Sequence, residues 1–369
     1  MADGVPDTEA VQPGLWVEWL RLTRVRTYAG AEVRCSPAPV VLTGPNGAGK
    51  TNLLEAVSFL APGRGLRRAR LSDVERRADD GAAPGWGVAA RVHTPDGPRE
   101  IGTGRPGDGR ERRAVRLDGE PAGGQAALGE AVAATWLTPA MDRLFQDGPS
   151  GRRRFLDRLV FGLDPAHAGR VSSYEHAMRE RARLLRGDRP ADPAWLDALE
   201  QRMAQQGVAI AAARRTLVER LRRHARAHGG PFPRADLALD GDAAAWLAAD
   251  SALAAEERLA EALRHARARD AETGGAAHGP HRSELHVTHV ERGQAAPMCS
   301  TGEQKALLVA LVLAHARLLA AERGFAPLVL LDEVAAHLDP ARRAALFAEL
   351  PRLGAQTWLT GTDPAVFDG

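Results

Sequence analysis

Apolar and polar positions along the chain switch between two periods, and each switch marks an element. From Leu15 to Tyr28 they alternate, as in a half-buried strand leading to a turn. Pro37 and Pro39 break the chain before Val40-Val-Leu-Thr43, a short apolar run of the kind a buried strand shows. Beyond a glycine-rich loop, Leu53, Ala56, Val57 and Leu60 fall at helical spacing. Residues 86–118 return to short runs separated by Gly, Pro and Asp, which predicts antiparallel strands with 107–112 as exposed loop. Ala134 to Pro139 reads as a core strand stopped by proline. A helix then starts near Pro149 with a basic first turn, Arg152 to Arg154, that opposes the helix dipole unless an anion sits there.

From about Ser172 to Arg269 the pattern is helical. Leu196, Leu199, Met203, Gln206, Ile210, Ala213 and Leu217 form a heptad-like seam. At 1.5 Å per residue, thirty residues reach about 45 Å, so this is a short lobe and not a long arm. Pro231 and Pro233 interrupt it, and Ala235 to Asp240 predicts one short strand. After a loop at 273–282, Glu284 to Arg292 alternates as a strand. Cys299-Ser300 opens an apolar helix to about Leu319, and Pro327 to Glu333 is a buried strand ending in two acids. A further helix and a last strand, Gln356 to Thr362, complete the chain.

Composition narrows the classes. With 369 residues the chain has room for two or three domains. A net charge of +2 gives no overall basic field, so any nucleic-acid contact has to come from local arginine clusters, those at 67–70, 152–154, 179–183 and 214–223. Cys35 and Cys299 follow no metal or redox spacing, which fits a reducing cytoplasm. No run of about eighteen apolar residues is seen, so no membrane span is expected. Residues 1–14 lack a basic-then-apolar order and read as a disordered tail, not a signal peptide.

The chemistry concentrates in two places. Gly44-Pro-Asn-Gly-Ala-Gly-Lys-Thr51 matches the phosphate-binding loop without a gap: Gly44, Pro45, Asn46, Gly47, Ala48 and Gly49 wrap an anion with backbone N–H groups. Lys50 reaches the β- and γ-phosphates, and the Thr51 hydroxyl is offered to Mg²⁺. Lys50 and Lys305 are the only lysines in an arginine-rich chain, so Lys50 marks a site where a planar guanidinium does not fit. At the far end, Asp332 is placed to hold Mg²⁺ and Glu333 to polarise the attacking water. Ser300-Thr301-Gly302-Glu303-Gln304 at a helix start makes a second anion cup, which most naturally serves another protomer's nucleotide. Lys305 either assists there or is helix surface. Arg64, Arg67, Arg68 and Arg70 either line a DNA- or nucleotide-facing surface or belong to a solvated loop.

Together these blocks, with Leu338-Asp339, resemble the ABC-type ATPase heads of the structural-maintenance-of-chromosomes class. The finer pattern is similar to the RecF family: Val25-Arg-Thr-Tyr28, Arg153-Arg154-Phe155-Leu156-Asp157, Tyr174 with Arg181, Gly279-Pro-His-Arg282 and Arg342-Arg343. The resemblance implies an α/β P-loop NTPase head assembled from both ends of the chain, residues 15–165 and 272–369, with an inserted helical lobe at 166–271. It implies ATP and Mg²⁺ as cofactors, weak DNA-stimulated ATP hydrolysis used as a switch, and ATP-driven homodimerisation. It also implies binding at gapped DNA or single-strand/double-strand junctions, RecO and RecR family partners, and Asp339 and Thr360 as the D-loop and switch residues. Arg67, Arg68, Arg70, Arg153 and Arg154 are the DNA candidates. The departures are Glu333 where the family has a second Asp, Thr27 where it often has Asn, and Thr360-Gly-Thr where many ABC ATPases have a sensing His. Gln146 is the candidate for a glutamine loop. The alternatives are an ATPase subunit of another complex of this class or of a transporter, and a clamp that only senses ATP.

Overall fold

The computed structural model describes residues 14–77, 84–187, 191–227 and 231–367. The expected tail at 1–14 lies, but for Gly14, outside them. In chain order the first elements are strands β1 (Trp16–Val25), β2 (Tyr28–Arg34) and β3 (Val40–Thr43), then helices α1 (Lys50–Ser58) and α2 (Leu71–Val74). Strands β4 (Trp86–Thr94), β5 (Gly97–Arg105), β6 (Ala114–Leu117) and β7 (Glu120–Pro121) follow, then helix α3 (Ala126–Ala131) and strand β8 (Ala134–Leu137). Next come helices α4 (Pro149–Phe161), α5 (His167–Leu185) and α6 (Pro193–Ala227), strand β9 (Ala235–Asp240), and helices α7 (Asp242–Ala249), α8 (Ala252–His265) and α9 (Arg267–Thr273). The chain ends with β10 (Glu284–His289), β11 (Gln294–Ala295), α10 (Thr301–Arg323), β12 (Leu328–Leu331), α11 (Pro340–Arg352) and β13 (Thr357–Gly361).

Two compact units result, one of Met1–Pro139 with His315–Gly369, the other of Ala140–Ala314. The first holds two sheets. One is antiparallel, in the order β2-β1-β4-β5-β6-β7; the other is parallel, in the order β3-β13-β12-β8. β12 reads as a continuous apolar run, and both it and β8 are buried at every position. The side chain of Gln356, fully buried, ties the two ends of the sequence together. Its Oε1 accepts from the Val17 N–H at 2.9 Å and the Trp358 indole N–H at 3.1 Å, and its Nε2 donates to the Ser36 carbonyl at 2.9 Å.

In the second unit α6 packs on α5, α8 and the β9–β10 pair. The unit is wider than the helical composition at 166–271, because α4 packs on α6 and β10 as well. The seam along α6 also differs from its expected register. Met203, Ile210 and Leu217 are buried as expected, but Gln206 and Ala213 are only half-buried, and the buried positions next to them on α6 include Gly207 and Arg214. Gly207 has no room for a side chain: a Cβ there would meet Leu259, Pro280 and Tyr174 at 3.1–3.2 Å. Arg214 donates to both oxygens of buried Asp157 at 2.8 Å and to the Pro280 carbonyl, while Arg181 is enclosed by Glu200, Asp270 and the Leu263 carbonyl. Both were grouped with surface phosphate contacts; both are core ion pairs instead. One further expectation is corrected in form: α10 is long and apolar enough, by length and composition, to cross a membrane. Its apolar window is 78% buried within the protein, which marks it as a core helix.

Candidate nucleotide site

The loop between β3 and α1 has the backbone its glycines permit. Gly47 has φ +83°, and Gly49 has φ +100° with the Tyr28 hydroxyl where a Cβ would stand, 2.7 Å away. Lys50 is buried, and its ammonium donates to the carbonyls of Gly44 at 2.6 Å and Pro45 at 2.9 Å, curled onto the loop it serves. Pro45, Asn46 and Ala48 complete the turn, whose Ala48 N–H donates back to the Pro45 carbonyl.

One carboxylate oxygen organises the rest. Asp332, at the end of β12, is 4% exposed, and its Oδ1 accepts from the Thr51 hydroxyl at 2.9 Å and the Thr360 hydroxyl at 2.8 Å. The parallel register that pairs Leu331 with Leu359 sets Thr360 beside Asp332. A hydroxyl and a carboxylate from two elements form the hard-oxygen donor pair that Mg²⁺ takes together with phosphate oxygens. Thr51 and Asp332 therefore fit the ion, which would supply charge neutralisation at the β- and γ-phosphates. Glu333 has φ +53°, a left-handed conformation that a side-chain-bearing residue rarely holds, and its N–H donates to Thr360 Oγ1 at 2.8 Å. Among the described residues its carboxylate has no hydrogen-bond partner.

A polar cleft of about 840 Å³ opens beside the loop, lined by Arg26, Thr27, Asn52, Arg67, Asp73 and Arg76 among others. Two of its lining residues are anchored on Glu55, a fully buried carboxylate: Arg26 grips it through two bonds of 2.8 Å and Arg67 at 2.9 Å. The bond to Glu55 raises the Arg26 guanidinium above its ordinary value despite partial burial. Arg67 also holds Asn52 at 2.7 Å, and Asn52 donates to Thr27. The loop carrying Arg67 is not plainly solvated, since Pro62, Gly63, Gly65 and Leu66 are buried; Arg68 and Arg70 are exposed upon it. Arg26 was visible in the sequence only as part of a family pattern. Its pairing with Glu55 needs β1 and α1 to be neighbours, which local periodicity does not report.

In the second unit, Ser300, Thr301 and Gly302 stand exposed at the start of α10. Ser300 and Glu303 form a capping box: the Ser300 N–H and hydroxyl both donate to Glu303 Oε2 at 2.9 Å, and Arg292 pairs with the same carboxylate. Gln304 turns inward, 1% exposed, donating to the Cys299 carbonyl at 2.8 Å, so it shapes the turn and does not face a ligand. Lys305 is buried against Asp142 at 3.1 Å, neither phosphate contact nor helix surface. On α4, Arg152 is bound by Glu284 and Arg153 by the Ser283 carbonyl at 3.0 Å, so neighbouring oxygens relieve the basic first turn; Arg154 is exposed. Gln146 is exposed after Phe145, and Asp339 caps α11 by accepting the Arg342 N–H at 2.9 Å.

A phosphate loop, a strand-end acid bonded to it and a second glycine-bearing helix start define the class: an ABC-type P-loop ATPase head. Residues 16–361 match the family model described as the RecF/RecN/SMC N terminal domain. The chain is 50% identical over 351 residues to the DNA replication and repair protein RecF of Mesorhizobium japonicum, covering 94% of this chain and 92% of that protein. It is 51% identical over 356 residues to that of Agrobacterium fabrum, covering 94% and 92%. A solved structure described as the recombination mediator protein RecF-ATPrS in the RecFOR pathway superposes with a TM-score of 0.85 at 20% identity, covering 98% of this chain and 96% of that one. The chain belongs to the RecF family.

Proposed function

We propose that this protein is a recombination mediator that binds ATP, dimerises on it and acts at single-strand gaps and single-strand/double-strand junctions in replication and repair. ATP is gripped by the Gly44–Thr51 loop of one copy and closed over by the Ser300-Thr301-Gly302 turn of its twin. The polar cleft beside Asn52 is the space open to base and ribose. Lys50 leaves the loop carbonyls for the phosphate oxygens, and Glu333 orients and deprotonates the attacking water. Hydrolysis is slow and DNA-stimulated; loss of the γ-phosphate contacts separates the pair and releases DNA. Arg67, Arg68, Arg70 and Arg154, all exposed, are the proposed DNA contacts; RecO- and RecR-family proteins are the expected partners, in the cytoplasm. The observation that carries the reading is the single Asp332 oxygen joining Thr51 and Thr360, in a chain whose Ser300 turn lies open at a helix start.

Light scattering with and without ATP and gapped DNA tests it. Lys50→Ala abolishes nucleotide binding; Ser300→Ala binds nucleotide and stays monomeric. Dimerisation of the Ser300→Ala protein on ATP at the parent's level refutes the shared site.

A further inference from the structure

We propose that Thr360 is a positioning residue for hydrolysis: its hydroxyl ties the metal-holding carboxylate of Asp332 to the backbone of Glu333 and so sets where the Glu333 carboxylate stands. The inference rests on the reading of Glu333 as the residue that activates water.

The resemblance implies a switch role for Thr360, at the place where many ABC ATPases have a sensing His. In the structure its hydroxyl is turned inward. Thr360 is 1% exposed, and its hydroxyl uses both of its capacities inward. The single proton goes to Asp332 Oδ1 at 2.8 Å, and a lone pair accepts the Glu333 N–H at 2.8 Å. That N–H belongs to a residue at φ +53°, a backbone conformation that persists only where the surroundings hold it. Because the Glu333 carboxylate has no partner among the described residues, its position depends on the backbone beneath it. The Thr360 hydroxyl is the hydrogen-bond acceptor that backbone has. Since Asp332 Oδ1 also receives the Thr51 hydroxyl at 2.9 Å, the phosphate loop, the acid and Glu333 meet through one oxygen and one hydroxyl.

Among the described residues, Lys50 and the loop N–H groups, which would grip triphosphate, make no hydrogen bond to Thr360. Binding and turnover should therefore separate. Thr360→Val keeps the shape of the side chain and removes both hydrogen bonds; Thr360→Ser keeps both and removes a methyl. The expected result is ATP affinity within about twofold of the parent for each variant. Turnover falls at least about tenfold in Thr360→Val and returns to within about threefold in Thr360→Ser. Thr360→Ala, which leaves a gap instead of a methyl, serves if the valine variant does not fold. Turnover in Thr360→Val within about threefold of the parent, or a loss of affinity that matches the loss of turnover, overturns the inference. Glu333→Gln run alongside separates the two ideas. Unchanged hydrolysis in that variant refutes the role of Glu333 and this inference with it, whereas unchanged hydrolysis in Thr360→Val alone refutes only the inference.

Discussion

Replacing Gln356 with leucine isolates what a single buried amide does for the first unit. The two side chains are close in volume, so little cavity is created and the effect is one of hydrogen bonding. The amide joins the Val17 N–H, the Trp358 indole N–H, the Ser36 carbonyl and, at 3.3 Å, the Val17 carbonyl. Val17, Trp358 and Gln356 are all fully buried, so water does not replace the lost partner. A buried donor left without an acceptor costs about 1–3 kcal/mol, so two of them cost about 2–6 kcal/mol, with the carbonyls adding less. Set against about 5–15 kcal/mol for the stability of a whole domain, about 4 kcal/mol is a large share. Urea unfolding followed by tryptophan fluorescence is the assay, because Trp16, Trp19, Trp86, Trp136 and Trp358 lie in the first unit and only Trp195 and Trp246 in the second. With a slope of about 2 kcal/mol per molar urea, the first-unit midpoint should fall by about 2 M at unchanged slope. A fall under about 0.5 M would mean that the two sheets hold without this amide, and the reasoning would be wrong.

Three other predictions concern the second unit. Burial alone would raise the Asp157 carboxyl, but the Arg214 guanidinium and His167 beside it outweigh that and hold it at about 2. A carboxylate depressed on folding stabilises above its unfolded value and loses that contribution as pH falls from about 4 towards 2, here about 2 kcal/mol. Urea midpoints read between pH 5 and pH 2 should show the drop in the parent and a flatter profile in Asp157→Asn; equal slopes count against the assignment. Arg181→Met strands the buried carboxylate of Asp270 and should cost about 3–5 kcal/mol. Arg154→Ala, at an exposed position, should stay within about 0.5 kcal/mol by thermal melting.

What the sequence showed and what it hid divide along one physical line. The phosphate loop was legible because its eight residues are contiguous and their chemistry is local. The place of Asp332 and Glu333 at the end of a buried strand was legible because a continuously apolar run ending in acids has few other readings. Thr360 was placed near the site, but its task depends on which residue the parallel register sets beside Asp332, and no periodicity within β13 carries that. Arg214 and Arg181 were misassigned because an arginine on an Ala/Arg-rich helix looks like surface. The clue was present, since Arg214 lies four residues after Ile210 and three before Leu217, on the buried side of α6. The Glu303 capping box was readable as Ser-x-x-Glu, while the inward turn of Gln304 follows from the backbone carbonyls around it.

The order of the parallel sheet bears on how the protein is made. β13, closing near residue 361, sits between β3 and β12, so among the described residues the strand that leads into the phosphate loop has its one sheet neighbour at the far end of the chain. A nascent chain on the ribosome therefore has the glycine loop early, resting on Tyr28 and Thr27, but no strand to pair with β3 until synthesis is nearly finished.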